Sequence, residues 1–501
     1  MDLMWPAGSI FSKPVRFFCD TDVSDTEFFG RYRGYLTADK ETLLYRQGLF
    51  RDILSVKGLG DFLITLRGKL TEYTPLMKLP SYPQTEDLKI HRMLYPAAYT
   101  ALVRLIYDNL CPMMGDITAV SIKNLFAQAE ADTNTPEFRR LEAYYRKNTP
   151  SLREVRSITV GVNLDALYRP KEAGIVALHR EEYRSGDLLD RILRLDFTRD
   201  DFHCIAPLTR IDSKLGFGES QQVNYAILKA VGQVLDSGLS HCGKRLLRYT
   251  REHIAPYFSL LESLSFVVDA MKWLTSLRKN DIPMCFPNIS EDGSTRILSL
   301  YDDTLVRSIG RKKTVPNNIR FAKDINCYLL TGPNSGGKTV FLRAVASAQC
   351  YFQLGMPIPA KEAELPLLDG IFRMSAKTQI AADTVGRFER ECMVLAEILE
   401  QFDEKSLLLM DEIFTATAHE EALPLAAGFI ARLCEKGGKC IFVTHLHALQ
   451  ETLPQFAAFR NQVDHLHAEV QGERRTYSIR GGRAEAHSGA REIARKYGLL
   501  G

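Results

Sequence analysis

Apolar positions follow two different regimes along this chain. Up to about residue 290 they recur at steps of three and four. Leu260, Leu261, Leu264, Val267, Val268 and Met271 are the clearest case and share one helical face. The pattern predicts helices over 42–66, 97–110 and within 221–278. One stretch breaks the helical rule: 157–164 is β-branched and alternating, and a second such run follows at 174–178. That predicts a β-hairpin near 157–178, standing among helices. Residues 196–220 carry Gly and Pro punctuation with mixed charge and read as a loop or an excursion at a helix tip.

Beyond 283–294 short runs without a polar member alternate with helical periodicity: Cys327 to Leu330, Leu407 to Met410 and Cys440 to Val443. Strands apolar on both faces belong to a parallel sheet covered by helices. The expected fold class is multidomain, α plus α/β: a mostly helical region over 1–290 with the hairpin insert, then a domain with a largely parallel sheet over 291–501.

The chemistry sits in the second regime. The strand ending at Thr331 runs into Gly332-Pro333-Asn334-Ser335-Gly336-Gly337-Lys338-Thr339, and Val340 opens a helical pattern to Phe352. This is a phosphate-binding loop in its required strand–loop–helix context. The glycines let backbone N–H groups converge on phosphate oxygens, and the helix N-terminus adds a field that favours negative charge. Lys338 is expected to neutralise the β- and γ-phosphates of ATP, and the Thr339 hydroxyl to ligate Mg²⁺. The alternative is a chance Gly-rich turn, which would produce the eight-residue pattern in only about 1–2% of chains this long. Downstream, Leu407 to Met410 delivers Asp411 towards the metal and Glu412 to where a carboxylate can deprotonate attacking water. Alone, four hydrophobes and an acidic pair are an ordinary strand end; after a phosphate loop they are a hydrolysis motif. The third run ends in Thr444-His445. A lone His after a strand is usually structural, but this one emerges at the phosphate edge and reads as a γ-phosphate sensor.

These residues resemble the MutS family of DNA-repair ATPases. The match of Thr331 to Thr339 to T-G-P-N-x-G-G-K-[ST] is narrower than a generic phosphate loop. Gly355-Met-Pro-Ile-Pro-Ala360, Asp369-Gly-Ile-Phe-Arg373, Ser406 to Ile413, Val315-Pro-Asn-Asn-Ile319 and Ser488 to Leu499 are similar to further segments of that family. The likeness is strong over 290–501. It is weaker at Tyr45-Arg-Gln47, at Leu261 to Ala270 and at Phe286-Pro287, which resemble its core and lever parts. The resemblance implies a homodimer through paired ATPase domains, driving helical levers that close on DNA.

Departures shape that expectation. The chain begins at the core part, without the mismatch-reading domain and its Phe-x-Glu wedge, and stops at Gly501 without the usual helical dimerisation extension. Direct mismatch reading is therefore not expected. The family's signature serine falls near Gly386, and its G-x-G-T loop reads Phe414-Thr-Ala-Thr417. Elements that serve a neighbouring subunit's ATP are thus altered while those serving the chain's own ATP are intact, which predicts slow or differently triggered hydrolysis.

Composition narrows the setting. The chain is 45% hydrophobic and 25% charged with a net charge of +3, so no global basic field announces nucleic acid. Basic residues gather locally at Arg139, Arg140, Arg146, Lys147, Arg153 and Arg156, around Tyr144 and Tyr145, and at Arg191, Arg194, Arg199, Arg210 and Lys214. Nearby acidic residues make solvated helix faces the competing reading. Ten cysteines form no C-x-x-C pair, no run of 18 apolar residues occurs, and the N-terminus lacks a basic-then-apolar leader. A cytoplasmic protein without a membrane span is expected. Two functions stay open: a DNA-engaging ATPase acting on branched or processed DNA, and an ATP-dependent switch for protein interactions. A transporter or SMC-like subunit fits poorly, since an L-S-G-G-Q signature and long heptads are absent.

Overall fold

The three apolar runs lie side by side in one seven-stranded sheet. The computed structural model describes residues 2–6, 14–19, 26–77, 87–148, 157–164, 166, 170–179, 181, 209–210, 244–375, 386–415, 419–446, 449, 461–471 and 474–483. The sheet is built from β1 (Arg16–Cys19), β2 (Cys327–Thr331), β3 (Gly370–Ser375), β4 (Ser406–Asp411), β5 (Lys439–Val443), β6 (Val463–Gln471) and β7 (Arg474–Gly481). Their spatial order is β1-β3-β4-β5-β2-β6-β7, parallel throughout except for the β6–β7 hairpin. Parallel neighbours need crossover helices, and these are α1 (Lys338–Gln353), α2 (Arg387–Gln401) and α3 (His419–Lys436).

Alternation within the strands assigns the faces. Leu408 and Met410, with Phe372, Met374, Cys440 and Phe442, join one core with Leu395 and Ile398 of α2 and Ala426 and Ile430 of α3. Their sequence neighbours Leu407, Leu409, Ile371 and Ile441 are equally buried and face the other way, where α1 packs against β4 and β5. This double burial is why the runs carry no polar member. The chain is mixed helical and α/β with a largely parallel sheet.

β1 was not legible as a strand. It lies beside β3 with Arg16 opposite Gly370, and its amide donates to the Asp369 carbonyl (2.9 Å). The Arg16 guanidinium reaches Asp403 and the Gln401 carbonyl, closing the sheet edge.

By its internal contacts the chain divides into two compact units. The first comprises 61–117 and 122–264. Within it, helix Asp87–Leu110 packs on Lys244–Phe258 and Pro136–Asn148. Asp132, buried between them, accepts from the Tyr257 hydroxyl (2.6 Å). Strands Ser157–Leu164 and Pro170–His179 pair antiparallel, with Thr209–Arg210 as a short third. Of the periodic stretch 221–278, the structure describes two helices, Lys244–Phe258, with Pro256 inside it, and Leu260–Arg278, parted at Ser259. Among the described residues, 252–278 is one helical stretch apolar and long enough by composition to cross a membrane; Leu264, Phe266, Val267 and Val268 within it are fully buried core residues.

The second unit comprises 2–60, 118–121 and 265–501. The helix expected across 42–66 is two helices, Lys40–Ser55 and Leu59–Met77, separated at Gly58. Asp39 caps the first by accepting from the Thr42 amide (2.7 Å). Asp52 near its end accepts from the Thr118 and Ala119 amides (2.8 and 2.7 Å). Arg46 on that helix is fully buried. Its guanidinium donates to the Met4 and Tyr35 carbonyls and lies 4.3 Å from the Trp5 ring centroid, and burial pushes it down to about 9. Gln47 beside it donates to the Pro287 carbonyl (3.2 Å). Gly355 makes this packing possible: a Cβ there would lie 2.3 Å from the Arg46 Cβ, and its φ is +80°. Gly355→Ala combines an overpacked contact with a left-handed backbone and is expected to cost about 2–4 kcal/mol. The denaturation midpoint of the variant checks this; an unchanged midpoint would refute the close approach.

Candidate functional site

Every residue of β2 is buried, so the sheet fixes where the following loop starts. Gly332 turns the chain at φ +133°, and a Cβ there would sit 2.8 Å from the Ala468 Cβ on β6. Only glycine lets the loop pass this close to the neighbouring strand. The Pro333 carbonyl points back into the loop and accepts from the Gly336 amide (3.1 Å). Asn334 and Ser335 form the exposed tip, and Ser335 holds φ +61° without being glycine. Gly337 is the N-cap of α1, whose first backbone bond runs from the Phe341 amide to the Gly337 carbonyl (2.9 Å). The amides of the first helical turn, over Lys338, Thr339 and Val340, have no intrahelical acceptor and point out of the helix end.

Lys338 is 5% exposed, and its ammonium donates to the Gly332 and Pro333 carbonyls (2.8 and 3.0 Å). The loop thus wraps a buried cation, and carbonyl oxygens hold that charge where an anion can replace them. Thr339 is exposed at the mouth. Asp302 caps the short helix Asp303–Ile309 and pairs with Arg343 of α1 through two bonds (2.8 and 2.7 Å).

β4, β5 and β2 are neighbours, with Asp411 opposite Val443 and Val443 opposite Leu330. Their C-terminal ends therefore meet at one edge, the usual place for a ligand in an open α/β sheet. Asp411 is 2% exposed, and both carboxylate oxygens are buried without a hydrogen-bond partner among the described residues. A buried carboxylate without partners is costly unless a cation completes it. Asp411 and the exposed Thr339 hydroxyl thus fit an ion that takes few protein ligands and keeps the rest for water and phosphate, as Mg²⁺ does. No cluster of three His, Cys, Asp or Glu forms among the described residues, so an all-protein metal cage is not the design there.

Glu412 follows at φ +57°, its amide donating to the Val443 carbonyl (3.1 Å). Its Oε1 lies 3.0 Å from His445 Nε2, with side-chain exposures of 27% and 40%. The pair is open enough to meet water and close enough to orient each other. Two residues on, Phe414 also takes a left-handed backbone, φ +61°. This is the position where the resembling motif has glycine, the residue that takes such a backbone most easily. A strain of about 1–2 kcal/mol is offset by the ring, which is 6% exposed and packs on Phe429.

Two residues beside the loop carried no individual signal in the sequence. Tyr477 on β7 is half exposed at φ +59°, its ring within 3.7 Å of where a Gly337 Cβ would be. Asn317 fixes that strand: its Oδ1 accepts from the Ile479 amide (2.7 Å) and its Nδ2 donates to the Tyr477 carbonyl (3.3 Å). Asn317 lies in the quoted Val315 to Ile319 segment, and an exposed aromatic flanking a phosphate loop was findable only once β7 was placed. Of the basic sets, Arg139 and Arg140 are exposed on helix Pro136–Asn148, and Arg139 donates to Asn134. Arg210 lies in a two-residue strand. Arg153, Arg156, Arg191, Arg194, Arg199 and Lys214 fall outside the described residues, as do the side chains of Arg146 and Lys147 and the segments 376–385 and 488–499. Gly386 caps α2 in an extended conformation.

Residues 328–499 match the model of MutS domain V. The Endonuclease MutS2 of Ligilactobacillus salivarius (strain UCC118) is 28% identical over 209 residues, which are 41% of this chain and 26% of that protein. The DNA mismatch repair protein MutS of Streptococcus pneumoniae serotype 19F (strain G54) is 29% identical over 203 residues, 40% of this chain and 24% of that protein. The matched region thus spans about a quarter of the length of these curated relatives.

Proposed function

From the match of residues 328–499 to MutS domain V we propose that the chain is a member of the MutS family, binds and hydrolyses ATP at the 332–340 loop and couples the cycle to DNA. One observation carries the reading: at a single sheet edge the loop encloses Lys338, Asp411 presents two buried, unpartnered oxygens, and Glu412 meets His445. Lys338 exchanges the Gly332 and Pro333 carbonyls for β- and γ-phosphate oxygens, which are stronger acceptors. The loop and helix amides take the remaining phosphate oxygens. Thr339 and Asp411 hold Mg²⁺, which supplies neutralisation of the phosphate charge. Glu412 accepts a proton from the attacking water, and His445 fixes the carboxylate while touching the γ-phosphate side. Tyr477 offers an aromatic face beside the loop for the adenine ring.

The relatives named above are, by their names, a DNA mismatch repair protein and an endonuclease. DNA is therefore the macromolecular partner proposed here, held by phosphate contacts of the helical residues before 290, with 291–501 as the ATPase domain. A homodimer through the ATPase domains is the assembly. The altered signature-serine segment near Gly386 favours slow turnover, and branched or processed DNA rather than a mismatch is the substrate proposed. Binding of duplex, mismatched, forked and four-way-junction DNA, each with and without ATP, tests the coupling. At least one branched DNA is expected to change affinity about tenfold with ATP, and to lose at least about tenfold between 50 and 200 mM salt. DNA affinity that ignores nucleotide while ATP still binds would favour the protein-interaction switch.

A further inference from the structure

The backbone that carries Glu412 is held from an unexpected direction. Glu412 and Phe414 both lie in the left-handed region, at φ +57° and +61°, with the buried Ile413 between them. Neither is glycine, so this path is imposed by neighbours rather than preferred by the residues. Three anchors impose it. The Glu412 amide is tied to the Val443 carbonyl. The Phe414 ring is sunk in the core under α3. The Phe414 amide donates to Glu391 Oε1 at 3.0 Å. Of these, only the Glu391 bond sets the peptide plane at the second left-handed residue, and hence the direction in which the chain leaves Glu412.

Glu391 is also out of place as a packing residue. It lies at the start of an apolar stripe on α2, followed at helical steps by Leu395 and Ile398, which are 3% and 2% exposed. Glu391 itself is 6% exposed. An aliphatic side chain would fill that position without the cost of desolvating a carboxylate. What the side chain supplies there is an acceptor oxygen for the buried Phe414 amide, which an aliphatic residue would leave unpaired.

We propose that Glu391 is a positioning residue for ATP hydrolysis, locking the strained 412–414 turn so that Glu412 stays against His445. This rests on the reading of Glu412 as the group that activates water. Without the lock, Phe414 relaxes towards negative φ and the Glu412 carboxylate swings off its line to the water.

The test compares Glu391→Ala and Glu391→Gln with the unaltered chain. ATP affinity is read by equilibrium titration, kcat and KM by phosphate release, and the 406–415 turn by amide hydrogen exchange. Glu391→Ala is expected to lower kcat by about 10- to 100-fold, to leave KM and ATP affinity within about twofold, and to speed exchange in the turn. Glu391→Gln keeps an acceptor oxygen and is expected to retain kcat within about threefold and near-normal exchange. Unchanged kcat in Glu391→Ala, a Gln variant as impaired as the Ala variant, or lost ATP binding would each overturn the proposal. An unaltered chain that binds ATP without turning it over refutes the hydrolysis reading and the catalytic half of this one. Exchange in the turn then decides whether Glu391 holds it.

Discussion

Glu412→Ala is expected to lower kcat for ATP hydrolysis by about 100- to 10,000-fold while ATP affinity stays within a few fold. The asymmetry follows from where the side chain points. Its backbone amide donates to the Val443 carbonyl on β5, whereas its carboxylate meets His445 at the sheet edge. Removing it takes away the proposed base and leaves Lys338, the helix amides and Asp411 in place. Trimming to Ala at φ +57° costs little beyond what Glu already bears there, so the fold is expected to survive. Single-turnover hydrolysis with nucleotide titration on the same sample separates the terms. Loss of ATP affinity parallel to loss of turnover would show that Glu412 helps to build the binding site rather than to activate water. His445→Ala then has a defined place: if the 3.0 Å contact orients the base, adding it to Glu412→Ala costs much less than it costs alone.

How far the sequence announced this arrangement depends on which physical constraint left a local trace. The doubly buried strands did, because a residue such as Leu408 or Leu409 must be apolar whichever way it faces. Gly332 did as well, because its close approach to Ala468 admits no side chain. The Asn317 segment was visible as a motif, but its reason, two hydrogen bonds to the strand bearing Tyr477, depends on a partner far along the chain. β1 left no trace. Four half-buried residues on a sheet edge have neither alternation nor a continuous apolar run to mark them, and their partner β3 lies some 350 residues downstream. The break at Gly58 was hidden for another reason: apolar periodicity continues on both sides of it, and three residues are too few to shift the phase visibly.

Phe414 shows where motif reasoning and structure part company. In the sequence, a phenylalanine where glycine is expected reads as a lost element. In the structure Phe414 takes a left-handed backbone, held by ring burial on Phe429 and by Glu391 rather than by glycine's own freedom. The altered position therefore bears on how the turn is stabilised before it bears on whether Glu412 can act.

Lys338→Ala is expected to weaken ATP and ADP binding by about 100-fold or more, while binding of adenosine changes little. The ammonium is 5% exposed and sits inside the loop, satisfied by two carbonyls. It is therefore already desolvated and oriented before nucleotide arrives, and exchanging neutral carbonyls for phosphate oxygens gains the charged interaction without a fresh ordering cost. A charge-assisted contact of about 3 kcal/mol corresponds to more than 100-fold in affinity. Lys338→Arg is not expected to rescue, because a planar guanidinium does not fit the space enclosed by Gly332 and Pro333 and cannot act as a compact point charge. Thermal unfolding with and without nucleotide reads this independently of turnover. Binding to the native state alone adds about 2.7 kcal/mol at a ligand concentration of 100 Kd, so the unaltered chain should gain melting temperature with ATP and the Ala variant should not. An Ala variant stabilised by ATP as fully as the unaltered chain would place the nucleotide elsewhere and remove the loop from the reading of this site.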